Sequence, residues 1–549
     1  MNFVSSGDTK EQSRGDSYFP YENRRNYTTT DTRTKLNIIT NMFSFEQTLS
    51  LLKIDGAVSH SYSETDNPNN LTFLFSEFSA FRPDRPLDLQ VTAIPAYAVN
   101  NLSNTFLREI TNFSNFSRDR EFTANLNFEL DTKLTEDFTG KFKFGGKYRY
   151  RTRSFDFEQS DGRLELNSGA DVRQRILDAY PWMKETVPNG SNSLPLTLFV
   201  DPNFDHGEFL EGDYPIGVPV DIDLMRGVYD IVRKYGTLEA YRYNDYMSKT
   251  SDYSGKEYRS AGYAMYTLNL GPDITLIPGI RYENFQTSYK GNRGIQTSTS
   301  VYNYVSHDTT LDFTREYWLP MVHLRYKPFD WFDVRFAYTN TLNYPDYTAI
   351  IPRIDVGLNS VVWNNYNLKP AQSANYDLYF SFYNNNIGLF TAGGFMKEIK
   401  DMIFATNNRY VFEAEDYPGI PSTAEGRPIA TTLNNPNKVE LWGLEFDWQT
   451  HFWYLPGVLS GLVANVNYTH IFSEAKYPLS RVEIQYLEEP PYIIRTVIDT
   501  FYTNRFISQP RDIVNPNNGI QAYIYPWNNS CIIGIIERIS VGESDIKPV

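Results

Sequence analysis

A single cysteine, Cys531, stands in 549 residues. That excludes an intramolecular disulfide framework and any metal site built from clustered thiolates. No stretch approaches the roughly 20 consecutive apolar residues of a membrane-spanning helix, which excludes a helical membrane protein. The opening, MNFVSSGDTKEQSRG, lacks a basic segment followed by an apolar one, so no signal peptide is read there. Positive charge is in deficit: 51 Lys and Arg face 66 Asp and Glu, for a net charge of −15. A nucleic-acid partner needs a basic face and is not expected. Enzyme signatures are also missing. There is no GxSxG, HExxH, GxxxxGK[ST] or strand-following GxGxxG. The six histidines, His60, His206, His307, His323, His451 and His470, are scattered. The chain is therefore read as no enzyme, without cofactor or metal. The acidic stretch 205–213 (DHGEFLEGD) lacks the calcium-loop pattern and reads as a solvated loop.

Aromatic residues are in excess. Tyr 41, Phe 37 and Trp 8 make 16% of the chain, which argues against disorder. Their spacing has a period of two. Phe122, Ala124, Leu126, Phe128 and Leu130 alternate with Thr123, Asn125, Asn127, Glu129 and Asp131. After a turn, Phe138, Phe142, Phe144, Tyr148 and Tyr150 alternate with Lys141, Lys143, Lys147, Arg149 and Arg151. Alternation this long fits a strand between lipid and a wet lumen. A large soluble antiparallel sheet with one solvated face is the competing reading. On the first reading Lys141, Lys143, Lys147, Arg149, Arg281 and Glu283 face the lumen. Phe122, Leu126, Phe128, Phe142, Phe144, Leu268, Leu270, Phe336 and Tyr338 face outward.

The pattern recurs in hairpins turning at GPD (271–273), KPFD (327–330), NNN (384–386) and YLPG (454–457), with a weaker pair at 35–43 and 48–60 around SFEQ. About 12–14 strands result. Turns within hairpins are short, whereas connections between them are long, the longest at 61–121 and 152–258. One edge of short turns and one of long loops is the layout of an outer-membrane barrel, with periplasmic turns and extracellular loops. Aromatic clusters at strand ends (Tyr317, Trp318, Phe329, Trp331, Phe332, Phe452, Trp453, Tyr454) suit the two headgroup levels. Within the longest loop, 170–180 and 221–235 have helical spacing. Asp221 is the candidate cap, Leu224, Val228, Val232 and Tyr235 the stripe, and Gly236 the stop.

Three stretches carry a family resemblance. Residues 318–353 place Leu319, Pro320, Arg335, Tyr338, Leu342, Pro345, Tyr347 and Pro352 in a pattern similar to TonB-dependent receptor barrels, with Tyr344 where the family usually has Arg. Residues 367–403 add Leu368, Lys369, Pro370, Asn375, Tyr376, Phe395, Lys397, Ile399, Lys400 and Asp401. The third, 437–468, adds Gly443, Glu445, Leu455, Pro456, Gly457, Asn467 and Tyr468. Loop lengths look like those of Bacteroidetes-type envelope receptors. The resemblance implies an all-β, partial antiparallel transmembrane barrel in the outer membrane of a Gram-negative bacterium. It also implies energy-coupled import of a large scarce nutrient: an iron chelate, a vitamin or a glycan. The implied partners are outer-membrane lipid, the ligand, and a TonB–ExbB–ExbD complex acting through a plug that this chain lacks. A passive porin-like channel or a surface-binding barrel without TonB is the alternative.

The family has 22 strands, a plug and a TonB box, so the chain is expected to be a fragment. Residues 1–30 read as an extracellular loop remnant and 31–515 as the barrel portion. Residues 516–549 read as a truncated or out-of-frame tail, or else as a divergent last strand. Ligand contacts are expected on the long-loop side. The connection 343–372 gathers Tyr344, Tyr347, Arg353, Trp363, Asn364, Asn365 and Tyr366. Aromatic faces with amide and guanidinium donors suit a sugar, a chelated iron complex or a corrinoid alike.

Overall fold

The computed structural model describes all residues except 87–89, 134, 136, 165–168, 188–192, 205–217, 238–239, 299–302, 491–492 and 521–549. The acidic stretch 205–213 and most of the 516–549 tail lie outside the described residues.

Fourteen strands follow one another in a single antiparallel row. They are β1 (Asn2–Phe19), β2 (Arg24–Leu49), β3 (Leu52–Phe78), β4 (Thr105–Lys133), β5 (Phe138–Gly162), β6 (Tyr253–Leu270) and β7 (Ile274–Gln296). The row continues with β8 (Tyr304–Phe329), β9 (Phe332–Asn343), β10 (Ala371–Asn384), β11 (Gly388–Lys400), β12 (Val439–His451), β13 (Leu462–Tyr486) and β14 (Asp512–Ile520). Each pairs with the next. Among the described residues no pairing joins β1 to β14, so the sheet is open. Above β14, the strand Ile493–Asn504 pairs with the upper half of β13.

The register puts the alternation on two continuous faces. Phe128 faces Phe144, Phe142 faces Tyr266, Leu268 faces Leu276, and Leu324 faces Phe336, which faces Leu378. This face is an apolar band. Rings pair along its loop-side rim, Tyr150–Tyr258 at 4.9 Å, Tyr282–Trp318 at 4.9 Å and Trp442–Phe472 at 4.1 Å between centroids. At the turn side Phe329 stacks on Trp331 at 5.3 Å. There the indole N–H groups of Trp448 and Trp453 donate to the carbonyls of Ile387 and Asn385, both at 2.8 Å. Such rings hold an apolar body and a polar tip at a bilayer boundary.

The strands exceed what the alternation suggested. β4 has 29 residues and β5 has 25, against the roughly 9–11 that cross a bilayer. The surplus rises on the loop side, where apolar and polar residues mix on both faces and period two carries no clean hydrophobic signal. Connections 79–104 and 297–303 are correspondingly shorter. The segment 1–30 forms β1 and the start of β2, paired from Asn2↔Asn41 to Phe19↔Arg24. The turn placed at SFEQ lies instead at Ser50 and Leu51, with Leu49 facing Leu52. Phe43 and Phe45 keep the alternation running through SFEQ, so nothing there breaks the strand.

Both helices expected in the long loop are present. α1 is Ala170–Ala179 and α2 is Ile222–Tyr235. The Asp221 side chain accepts from the Leu224 N–H at 3.0 Å and the Gly236 N–H donates to the Val232 carbonyl at 2.8 Å. The buried stripe is Met225, Val228, Tyr229 and Val232: Val228 and Val232 are as expected, and Met225 and Tyr229 stand in place of Leu224 and Tyr235. Tyr235 is exposed, with the Arg175 guanidinium 4.4 Å from its ring. The stripe meets Tyr27, Phe73, Phe75, Leu107 and Ile110 on the tops of β2–β4 in one core. A hydrogen bond of 2.6 Å from Arg226 Nε to Asp31 pins α2 to β2. Alternation is unbroken down β2, so this helical layer lies on the same face as the apolar band, above it.

Two features hold the register. Gly255 on β6 faces Tyr289 on β7, and a Cβ on Gly255 would lie 2.1 Å from that ring. The Tyr289 hydroxyl donates to Glu257 at 2.6 Å. Gly393 and Tyr379 repeat the arrangement between β10 and β11. At the start of β11, Gly388 has φ +82° and an added Cβ would meet the Gln449 carbonyl oxygen at 2.1 Å. Gly388→Ala is expected to destabilise the sheet by about 2 kcal/mol, from a strained backbone and a displaced neighbour. A denaturant titration in detergent that leaves the midpoint unmoved would refute this.

Candidate functional site

The opposite face is charged. Toward the turns, Lys141 and Lys143 share Glu129, the second pair at 2.6 Å. Further up, Asp119 receives Arg151 and Arg153, with Arg153 Nε at 3.0 Å. Arg149 lies 3.7 Å from Glu121 and 3.9 Å from Glu257. In both places cations and carboxylates balance.

One cavity on this face is different. It holds about 440 Å³ and is lined by Lys147, Arg149, Arg259, Arg281, Glu283 and Tyr344, closed by Leu319 and 340–342. Four cations line it with one carboxylate, Glu283, while Arg149 also reaches Glu121 and Glu257 just outside the lining. The alternation of three adjacent strands brings them together: Arg149 faces Arg259, Lys147 faces Ala261, and Ala261 faces Glu283. Arg281 satisfies Glu283 at 2.6 Å, and the Tyr344 hydroxyl donates to the other oxygen of Glu283 at 2.7 Å. Burial and that carboxylate push the Tyr344 phenol well above its ordinary range, so it remains a donor. Arg259 lies 3.7 Å over the Tyr344 ring and 4.7 Å from that of Phe285. Both Arg149 and Arg259 keep a buried Nε–H with no acceptor. Oriented donors with spare hydrogen bonds and excess positive charge suit an anion.

The residues named from sequence divide between this cavity and its surroundings. Lys147, Arg149, Arg281, Glu283 and Tyr344 line it, while Lys141 and Lys143 sit lower, closed on Glu129. Tyr347 lies beneath Arg153, 3.7 Å from its guanidinium, and beside Tyr253. The rest build the loop itself. Trp363 is 4% exposed, meets Tyr417 edge-on at 5.3 Å and donates to the Pro418 carbonyl at 3.3 Å. It belongs to a second core with Ile354, Val356, Val361, Tyr417 and Ile429. Asn364 donates to the Thr348 carbonyl at 2.7 Å and its N–H to the Arg353 carbonyl at 3.0 Å. The Asn365 side chain accepts from the Asn367 N–H at 3.1 Å. Tyr366 leans on Phe313 at 5.9 Å. Sequence reading missed Arg259. The signal was present, because Arg259, the first residue after the connection 152–258, continues the odd-numbered alternation of Ala261 and Tyr263.

An apolar outer band, a charged inner face and long loops on one edge define a barrel wall. The profile of the family described as "TonB dependent receptor-like, beta-barrel" matches residues 55–530. The chain belongs to the TonB-dependent receptor β-barrel family. Members of that family are outer-membrane receptors and transporters rather than enzymes, and they work with a ligand and with TonB. Solved structures are similar to the chain at low identity. The Serratia marcescens hemophore receptor HasR, solved as a double mutant with its hemophore HasA and heme, is 11% identical. That match covers 95% of this chain and 70% of that one, with a TM-score of 0.44. The siderophore receptor PiuA from Acinetobacter baumannii is 9% identical over 95% of this chain and 69% of its own, with a TM-score of 0.41. The ferric citrate transporter FecA is 9% identical over 94% and 61%, with a TM-score of 0.38. No curated protein sequence matches the chain. Within this TonB-dependent receptor barrel, the cationic cavity lies on the charged face of the sheet, closed by Tyr344.

Proposed function

We propose that this chain is the barrel of an outer-membrane importer that captures a large, scarce and anionic nutrient complex. The observation that carries the reading is the cavity lined by Lys147, Arg149, Arg259 and Arg281, with Glu283 as the one carboxylate in its lining. Among the cargo classes open from sequence, a negatively charged iron chelate or a phosphate-bearing corrinoid fits these donors. A neutral glycan would leave the guanidinium groups without charged partners, at a desolvation cost. Lys141, Lys143, Lys147, Arg149, Arg281 and Glu283 line the lumen in this reading. Import is driven through a plug by a TonB–ExbB–ExbD complex.

The test is uptake of a radiolabelled anionic ferric chelate by cells carrying the full-length receptor. Collapsing the proton-motive force or deleting TonB is expected to reduce uptake to that of cells without the receptor. Uptake that persists down a gradient in de-energised cells would establish a passive channel instead.

A further inference from the structure

The cationic cavity has a small floor and two unlike sides. Its floor is Ala261 on β6, which brings only a methyl group into the space. In register beside it stand Lys147 on β5 and Glu283 on β7. Neighbouring strands lie about 4.8 Å apart, so these two side chains start about 10 Å from each other, with the methyl group between them. One step up, Arg149 and Arg259 face each other. One step down on β7 is Arg281, opposite Tyr263.

The four cations are not equally available. Among the described residues Lys147 and Arg259 make no ion pair, and Arg259 lies over the Tyr344 ring instead. Arg149 meets Glu121 and Glu257 only at 3.7 and 3.9 Å, and both of those carboxylates belong to the row above, that of Arg151. Arg281 is committed. Its Nε bonds one oxygen of Glu283 at 2.6 Å, while the Tyr344 hydroxyl donates to the other at 2.7 Å. Glu283 thus holds two donors away from a ligand and leaves the free positive charge on the β5 and β6 side.

Glu283 keeps acceptor capacity of its own. An ionised carboxylate offers about four acceptor sites. Two are taken, and the side chain is 13% exposed where it lines the cavity. A group seated over Ala261 therefore meets ammonium and guanidinium donors on one side and a carboxylate acceptor on the other. An oxyanion turned toward Glu283 is repelled, whereas a hydroxyl or N–H is bound. We infer that Glu283 determines specificity: it reads a hydroxyl or N–H donor standing beside an oxyanion, as in a hydroxy acid or a sugar acid, and rejects a face that is anionic throughout. This role rests on the cavity's being the capture site for an anion, as proposed above, and defines the chemical neighbour which that anion carries.

The test uses malate and succinate, which share two carboxylates and differ by one hydroxyl. Both are titrated calorimetrically into the full-length receptor in mild detergent at low ionic strength, where charges are little screened. Wild type is expected to bind malate at least about tenfold more tightly than succinate, the factor that one hydrogen bond to a charged group supplies. Glu283→Gln removes the repulsion and frees Arg281, so both acids bind more tightly and the preference for malate falls below about threefold. Glu121→Gln removes a carboxylate from the row above without touching the acceptor. It strengthens both acids by the same factor and keeps the preference, which separates a local acceptor from a general change of charge. Equal binding of the two acids by wild type overturns the inference, as does a preference that survives Glu283→Gln. Should that variant fail to fold, the wild-type ratio decides alone. A wild type that binds neither acid removes the cavity as an anion site and the role of Glu283 with it, an outcome distinct from equal binding of both.

Discussion

Arg149→Gln combined with Arg259→Gln in the full-length receptor is expected to weaken binding of an anionic ferric chelate by at least about a hundredfold. The two guanidinium groups face each other across β5 and β6 and each keeps an unsatisfied Nε–H. A charge-assisted hydrogen bond is worth about 1.5–3 kcal/mol, so two lost together exceed the roughly 2.7 kcal/mol of a hundredfold change. Glutamine preserves length and polarity and adds no carboxylate beside Glu121 and Glu257. A Lys141→Gln variant serves as the control, because Lys141 is closed on Glu129 below the cavity. Isothermal titration of both proteins checks the outcome. Wild-type affinity in the double variant would remove this cavity as the capture site.

Trp363→Ala acts elsewhere and through folding. The indole is almost wholly buried in the second core, and truncating a buried aromatic of this size costs about 3–5 kcal/mol. The loss falls on the loop layer, not on the barrel rows. Tyr417, Ile420 and Ala424 pack in the same core, and Arg427 next to it donates to the Gly357 carbonyl at 2.6 Å. Opening of this segment is expected to rise by more than about a hundredfold, read as the rate of tryptic cleavage after Arg427. Far-ultraviolet circular dichroism should keep its strand signal. An unchanged cleavage rate would show that the loop does not depend on Trp363. Any loss of cargo affinity in this variant is an indirect effect of loop collapse, in contrast to the arginine pair.

The parts of the fold that were legible in sequence are those where one face meets lipid and the other water. Between Phe122 and Arg151 every second residue reports a face, and the turn at 271–273 is marked by a glycine with φ +63°. The strand tops carried no such contrast. Residues 105–120 and 152–162 scatter apolar side chains such as Leu107, Ile110, Phe113 and Phe155 over both faces among polar ones and were read as loop, though 110–120 and 152–162 pair without interruption between β4 and β5. Residues 1–30 were misread for the same reason. Helix α2 was visible through its cap and stop. Val228 and Val232 of its stripe were read from sequence, whereas Met225 took the place of Leu224, because both are apolar and only the facing sheet selects between them. The candidate site was half legible. Lys147, Arg149, Arg281 and Glu283 follow from alternation, and Tyr344 from the loop composition. Trp363 was grouped with Tyr344 by proximity in the chain, which does not reveal that Val356, Val361 and Ile429 close around its ring.

The glycines that seat Tyr289 and Tyr379 bear on how the sheet assembles. An antiparallel pair of polar-faced strands can slide by two residues and still present the same alternation. Between β6 and β7 such a slide would set Tyr289 against Tyr253 or Glu257 in place of Gly255, and the hollow beneath the ring would be gone. The hydroxyl would leave Glu257 at the same time. Each glycine–tyrosine seat is thus an alignment mark that admits one offset between neighbours. It lies on the charged face, opposite the apolar band.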